Sequence, residues 1–126
     1  MSGPEIECPS ELRPAVEAAL SALDIRDCHL AVELVKEHRI RELNRRFRGR
    51  DEATDVLAFP IDEAGKTPGP RELGDVVVCP EQTQDIEEAV VHAILHLAGH
   101  DHEADGGQMI ELQQRVLGAL RGGARP

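Results

Sequence analysis

The chain of 126 residues has no tryptophan, no tyrosine and only two phenylalanines, so its core must be aliphatic. It has no run near the roughly 18 consecutive apolar residues of a membrane-spanning helix. Its N-terminal segment MSGPEIECPS lacks the basic-then-apolar layout of a signal peptide, and a cytoplasmic location is the expectation. Cysteine is sparse: Cys8, Cys28 and Cys79 are odd in number and include no C-x-x-C pair. That argues against both a disulfide framework and a cysteine metal site, and leaves them as small buried residues. Positive charge is also short, 14 Lys and Arg against 24 Asp and Glu, for a formal net charge of -10. Polyanions are repelled by such a surface unless its basic residues are gathered in one place. The length, an apolar fraction of 40% and a mean hydropathy of -0.34 fit one water-soluble globular domain over residues 1–126.

The basic residues are in fact gathered. Lys36, Arg39, Arg41, Arg45, Arg46, Arg48 and Arg50 fall within one short segment, half of the 14 basic residues in the chain. Taken alone, such a run is a solvated helix face with ion pairs to Glu37 and Glu42. Residues 10–23 place Ser10 as an N-cap, Pro14 in a first turn, and Leu12, Val16, Ala19, Leu20 and Leu23 at helical spacing. Residues 28–35 alternate as a half-buried strand, and Ile40, Leu43 and Phe47 then mark a helix that ends at Gly49. Residues 54–61 and 72–80 are apolar, β-branched runs on either side of a Gly- and Pro-rich loop. A helix is predicted from Glu81 to Leu97, and Gly99 stops it. Asp105 is placed to cap a last helix to about Arg121, with Met109, Leu112, Val116 and Leu120 inward. The pattern predicts a small α+β fold: a mixed sheet of about four strands packed with four or five helices.

The end of the third predicted helix, AVVHAILHL, is apolar on nearly every side except at His92 and His96. Residues four apart on a helix lie about 40° apart around the axis and about 6 Å along it, so both rings reach one ion. The turn after Gly99 returns His102 toward the same point, completing H-x-x-x-H-x-x-G-x-x-H. This zincin-like spacing is that of metalloproteases in which three histidines hold zinc, but the carboxylate such peptidases carry beside the first histidine is replaced by Ala93. Peptide hydrolysis is therefore disfavoured. Three neutral imidazoles leave a fourth zinc position open, as in a catalytic site rather than a closed structural one. Any one of these histidines alone would be read as a satisfied core residue; three at this spacing, whose nitrogens need a shared partner, point to metal. His100 reads as exposed, as a support for a ligand, or as a proton shuttle. Asp101 reads as a turn residue or as a group orienting a ligand imidazole. His29 and His38 are expected in solvent.

These residues resemble the YbeY endoribonuclease family. ELNRRFRGRDEATDVLAFP (42–60), LGDVVV (73–78) and HAILHLAGHDH (92–102) are similar, in the right order, to three blocks of that family. The resemblance implies a single-strand-specific, zinc-dependent endoribonuclease that matures the 3′ end of small-subunit (16S) ribosomal RNA and serves ribosome quality control. Its partners would be ribosomal RNA and the ribosome with its proteins. It further implies one Zn2+ per chain on His92, His96 and His102 and a functional Arg48; His92 and Arg48 are then the expected catalytic residues, and RNA phosphates are expected along Arg45, Arg46, Arg48 and Arg50. A guanidinium suits the role given to Arg48, because it holds phosphate bidentately; its competing reading is an ion pair with Asp51 or Glu52. Thr54, Asp55 and Asp75 stand open between supporting the site and turn roles. Ala93, His100 and Ala58 depart from the family's Gly, Tyr and Ser, and the stretch from Asp75 to His92 is shorter than its norm. With Phe47 and Phe59 the only Phe, Tyr or Trp side chains, little base-sequence readout is expected. Two alternatives use the same residues: a metal-dependent hydrolase of peptides or small molecules, and a non-catalytic ribosome-associated factor with structural zinc.

Overall fold

A computed structural model describes residues 4–61, 71–99 and 107–122. Its elements in chain order are β1 (Glu5–Glu7), α1 (Arg13–Ala22), β2 (Cys28–Leu34), α2 (Glu37–Arg48), β3 (Val56–Pro60), β4 (Arg71–Val78), α3 (Ile86–Leu97) and α4 (Gln108–Gly122). Single 3-10 turns lie at Ser10–Leu12 and Pro80–Gln82. The strands form one sheet in the order β1-β2-β4-β3, with β1, β2 and β4 parallel and β3 antiparallel at the edge. This is the mixed α+β arrangement that the sequence predicts.

The helix α3 is central because it has almost no polar face. Ala89, Val90, Val91, Ala93, Ile94, Leu95 and Leu97 are all buried, and a helix apolar all round is stable only when surrounded. Val76 and Val78 of the sheet, Val16, Ala19 and Leu20 of α1, and Met109, Val116 and Leu117 of α4 complete this aliphatic core. α2 packs on the opposite face of the sheet, over a smaller cluster of Ile40, Leu57, Val77 and Cys79. None of the described helices is long and apolar enough to cross a membrane.

Several boundaries differ from the sequence expectation, each for a local reason. Ser10 makes no cap hydrogen bond; residues Ser10–Leu12 form a 3-10 turn and α1 begins at Arg13. Pro14, which lacks an N–H, then falls among the first-turn positions that need no donor. α3 begins at Ile86 rather than near Glu81, since the Asp85 carboxylate accepts the Glu88 N–H and caps the helix there. Arg121 of α4 pairs with Asp85 and, at 3.1 Å, with Glu87, which clips the end of α4 to the start of α3 and holds the Asp85 carboxyl below its usual range. β1 was not anticipated, and three residues are too few to show a period. Asp105 lies outside the described residues.

Cys28 and Cys79 are buried as expected, and Cys8 is half-buried. His29, expected in solvent, is partly exposed and ion-paired. On β2 it donates Nε2–H to Glu7 (2.6 Å) and Nδ1–H to Glu72 (3.1 Å), joining β1, β2 and β4. The two carboxylates, Glu7 first, push its pKa up to about 9. Because the folded-state value is raised above that of the unfolded chain, this stabilisation is complete below about pH 6.5 and is lost as pH rises through about 9. The His29 ring is therefore expected to titrate near pH 9 by NMR, and the stability gap between the wild type and His29→Gln to close between pH 7 and 10. A gap independent of pH would contradict the pairing.

Gly74, at φ 141°, lies where β3 and β4 meet α3. A Cβ there would collide with the Phe59 carbonyl oxygen and crowd Leu97 Cδ2 and Pro60 Cα, each at 3.1 Å. Gly74→Ala should cost about 2 to 4 kcal/mol in denaturant unfolding, since both the backbone and a neighbouring strand must move.

Candidate metal and nucleic-acid site

From Ala89 to Leu97 of α3, His92 and His96 are the half-buried exceptions among buried residues. Their ring centroids are 4.7 Å apart with planes at 75°. Both line a cavity of about 810 Å³ between α3, β3 and the end of α2. His102, His100 and Asp101 lie outside the described residues. Among the described residues, no third His, Cys, Asp or Glu gathers with the pair.

The His92 ring has a defined orientation. The Nδ1 of His92 lies 2.7 Å from Oε1 of Gln113, which is 6% exposed. A side-chain amide oxygen only accepts, so Nδ1 carries the hydrogen and, in the neutral ring, Nε2 keeps its lone pair. That is the tautomer a metal-bound imidazole requires, held by a partner on its other nitrogen. Two imidazoles on successive turns, one with its basic nitrogen preset, fit a divalent transition metal. Gln113 was not foreseen, although it continues the inward stripe of α4 between Met109 and Val116.

Arg48 reaches the same cavity from the other side. α2 ends at Gly49, whose φ of 74° lets its N–H and that of Arg50 close on the carbonyls of Arg45 and Asn44. Asn44, 4% exposed, donates Nδ2–H to the Glu52 carbonyl at 2.9 Å and pins the following loop. The pairs Asp55–Cys79 and Ile61–Leu73 carry ladder hydrogen bonds, so odd-numbered residues of β3 face β4 and even-numbered ones put their backbone groups on the free edge. Arg48 donates an Nη2–H to the outward carbonyl of Ala58 at 2.7 Å, and its guanidinium carbon lies 5.7 Å from the Phe59 ring centroid. The competing ion pairs are taken by others: Asp51 binds Arg41 at 2.8 Å, and Glu52 lies 3.8 Å from Arg50.

The arginine segment is divided by the fold. Arg48 and Arg50 line the cavity, whereas Arg45 and Arg46 do not. Among the described residues, Arg45, Arg46 and Arg48 form no ion pair. Asp75 does not support the histidines: it projects from the α2 side of β4, beside Leu43 and Phe59, whereas the histidines lie on the other side. Its neighbours Val76 and Val78 carry the alternation toward α3. Asp55 lines the cavity but accepts the Val56 N–H at 2.8 Å and the Thr54 hydroxyl at 3.3 Å, a turn role for both residues. The sequence reading missed Glu88. One turn before His92 on α3, it brings a second carboxylate to the cavity wall.

His92 and His96 thus share one cleft with Arg48 and Arg50. The family model described as "Endoribonuclease YbeY" matches residues 4–121, and the chain belongs to that family. Among proteins of that name, the chain is 41% identical over 116 residues to one from Myxococcus xanthus, covering 80% of this chain and 40% of that one. It is 37% identical over 125 residues to one from Persephonella marina, covering 87% of this chain and 82% of the relative. A solution structure of a Thermotoga maritima protein is similar in fold, with a TM-score of 0.61 and 34% identity, covering 97% of this chain and 91% of that one.

If Gln113 sets the His92 tautomer, nitrogen-edited NMR of the metal-free protein should show protonated Nδ1 and unprotonated Nε2 in the wild type. Gln113→Leu should show a tautomer mixture, with thermal stability changed by about 1 kcal/mol and metal affinity reduced about 10- to 100-fold. An unchanged tautomer in Gln113→Leu would remove that role.

Proposed function

We propose that this domain is a single-strand-specific, metal-dependent endoribonuclease, holding one zinc ion through His92, His96 and His102, that acts in the cytoplasm on the 3′ end of small-subunit ribosomal RNA and in ribosome quality control. One observation carries the reading: Arg48 and the histidine pair line a single cavity. Phosphodiesters are the substrates that need both a bidentate cation and a metal-bearing face.

Arg48, fixed by the Ala58 carbonyl, holds the scissile phosphate with its remaining N–H groups and stabilises the charge that builds on the phosphoryl oxygens. Arg50 neutralises the same phosphate from the cavity rim. Arg45 and Arg46, outside the cavity, receive phosphates of flanking nucleotides. Glu88, on the cavity wall, would accept a proton from the attacking group. A bound zinc ion would supply Lewis acidity. The rest of the acidic surface repels RNA elsewhere and so favours this one approach.

Glu88 is also the feature that supports a second reading, hydrolysis of peptides or small molecules, because it offers the carboxylate missing at Ala93. Assays with precursor ribosomal RNA and with a generic peptide substrate separate the two. Metal-loaded wild type should cut the RNA and lose activity with chelator. His92→Ala should lose both bound metal and cleavage while staying folded. Arg48→Glu should slow cleavage by about a hundredfold or more with metal content unchanged. RNA cleavage by folded His92→Ala, or peptide hydrolysis without RNA cleavage, would overturn the proposal. A 2′,3′-cyclic phosphate end would identify the RNA 2′-hydroxyl as nucleophile in place of water.

A further inference from the structure

The two phenylalanines of this chain come from different elements yet meet. Phe47 of α2 and Phe59 of β3 have centroids 5.4 Å apart at 69°, edge to face. Phe47 remains 59% exposed, although a large ring on a helix gains by burial. Each ring has an arginine over it: the Arg46 guanidinium carbon lies 5.6 Å from the Phe47 centroid, and that of Arg48 lies 5.7 Å from the Phe59 centroid. Arg48 also lines the histidine cavity, so its guanidinium links that cavity to the Phe59 ring. Beyond them a groove of about 470 Å³ opens between α2 and the sheet, with Glu33 and Asp75 on its wall.

We propose that Phe47 and Phe59, flanked by Arg46 and Arg48, form a stacking subsite for one unpaired nucleobase next to the nucleotide whose phosphate Arg48 holds. The proposal rests on the RNA reading and specifies which part of the RNA is held outside the cavity. A nucleobase suits this patch better than a protein side chain because the exposed aromatic face is bordered by cations that form no ion pair among the described residues, and these match the phosphates on either side of a base. Glu33 and Asp75 exclude phosphates from the far side of the groove and accept hydrogen bonds from base N–H groups. A stacked base must be out of its helix, so the subsite also accounts for a preference for single strands.

The test is equilibrium binding of a single-stranded oligoribonucleotide carrying one 2-aminopurine to the purified chain without added metal. The wild type should quench the 2-aminopurine, and a duplex of the same sequence should not be quenched. Phe47→Leu, a surface change expected to leave thermal unfolding unaltered, should weaken binding about tenfold, within the range for loss of one stacked base, and abolish the quench. The chain has no tryptophan, so Phe47→Trp adds a single fluorophore that the single strand should quench while affinity is retained. An abasic site at the probe position should weaken wild-type binding and leave Phe47→Leu unaffected. If Phe47→Leu binds and quenches like the wild type while Arg48→Ala does not bind, the stacking subsite is wrong and the RNA reading stands. If the wild type binds no RNA, both are wrong.

Discussion

The structure depends on one constraint: two imidazoles sit on a helix that is otherwise enclosed by aliphatic side chains. α3 is buried on every side but one, and the open strip holds His92 and His96. Polar ring nitrogens at such a place must be satisfied, because leaving one unpaired costs about 1 to 3 kcal/mol. Gln113 satisfies one nitrogen of His92 from α4. A fold maintaining this arrangement only for stability could have used leucine in all three positions. The arrangement is understandable as a ligand face whose geometry is set before any ion arrives.

The other half of the site is held by different forces. Arg48 stands on an exposed helix, but Gly49, Asn44 and the free edge of β3 together determine where its guanidinium lies. An edge carbonyl that would otherwise face water orients the cation toward the cavity, and the same contact covers a strand edge exposed to unwanted pairing. Charge in this protein is thus distributed unevenly: an acidic surface overall, and a short cationic border where the chain leaves α2. The His29 bridge works at the opposite edge of the sheet, where two glutamates would otherwise repel each other.

Much of this was legible in the sequence because it is written in spacing. The His92/His96 interval, the stop at Gly49, the alternation of β2 and the all-round apolarity of α3 follow from periods of two and 3.6 residues. What escaped depends on contacts between elements. Gln113 lies on the inward stripe of α4, but nothing local says that it meets an imidazole. Asp75 seemed a candidate by its place after Gly74, and the parity of β4 puts it on the other face of the sheet. Glu88 was within the predicted helix but was not connected to the histidines four and eight residues later. The His29 bridge needed the parallel pairing of β1 with β2, which no short-range pattern announces.

The proposal on which the function rests is that His92 and His96 bind a metal ion together with His102. X-ray absorption at the zinc edge of the zinc-loaded protein tests it most directly. Three imidazole nitrogens at about 2.0 to 2.1 Å and one oxygen ligand are expected, and His92→Ala should retain no zinc. A sulfur shell at about 2.3 Å, or a spectrum with no imidazole scattering, would contradict it.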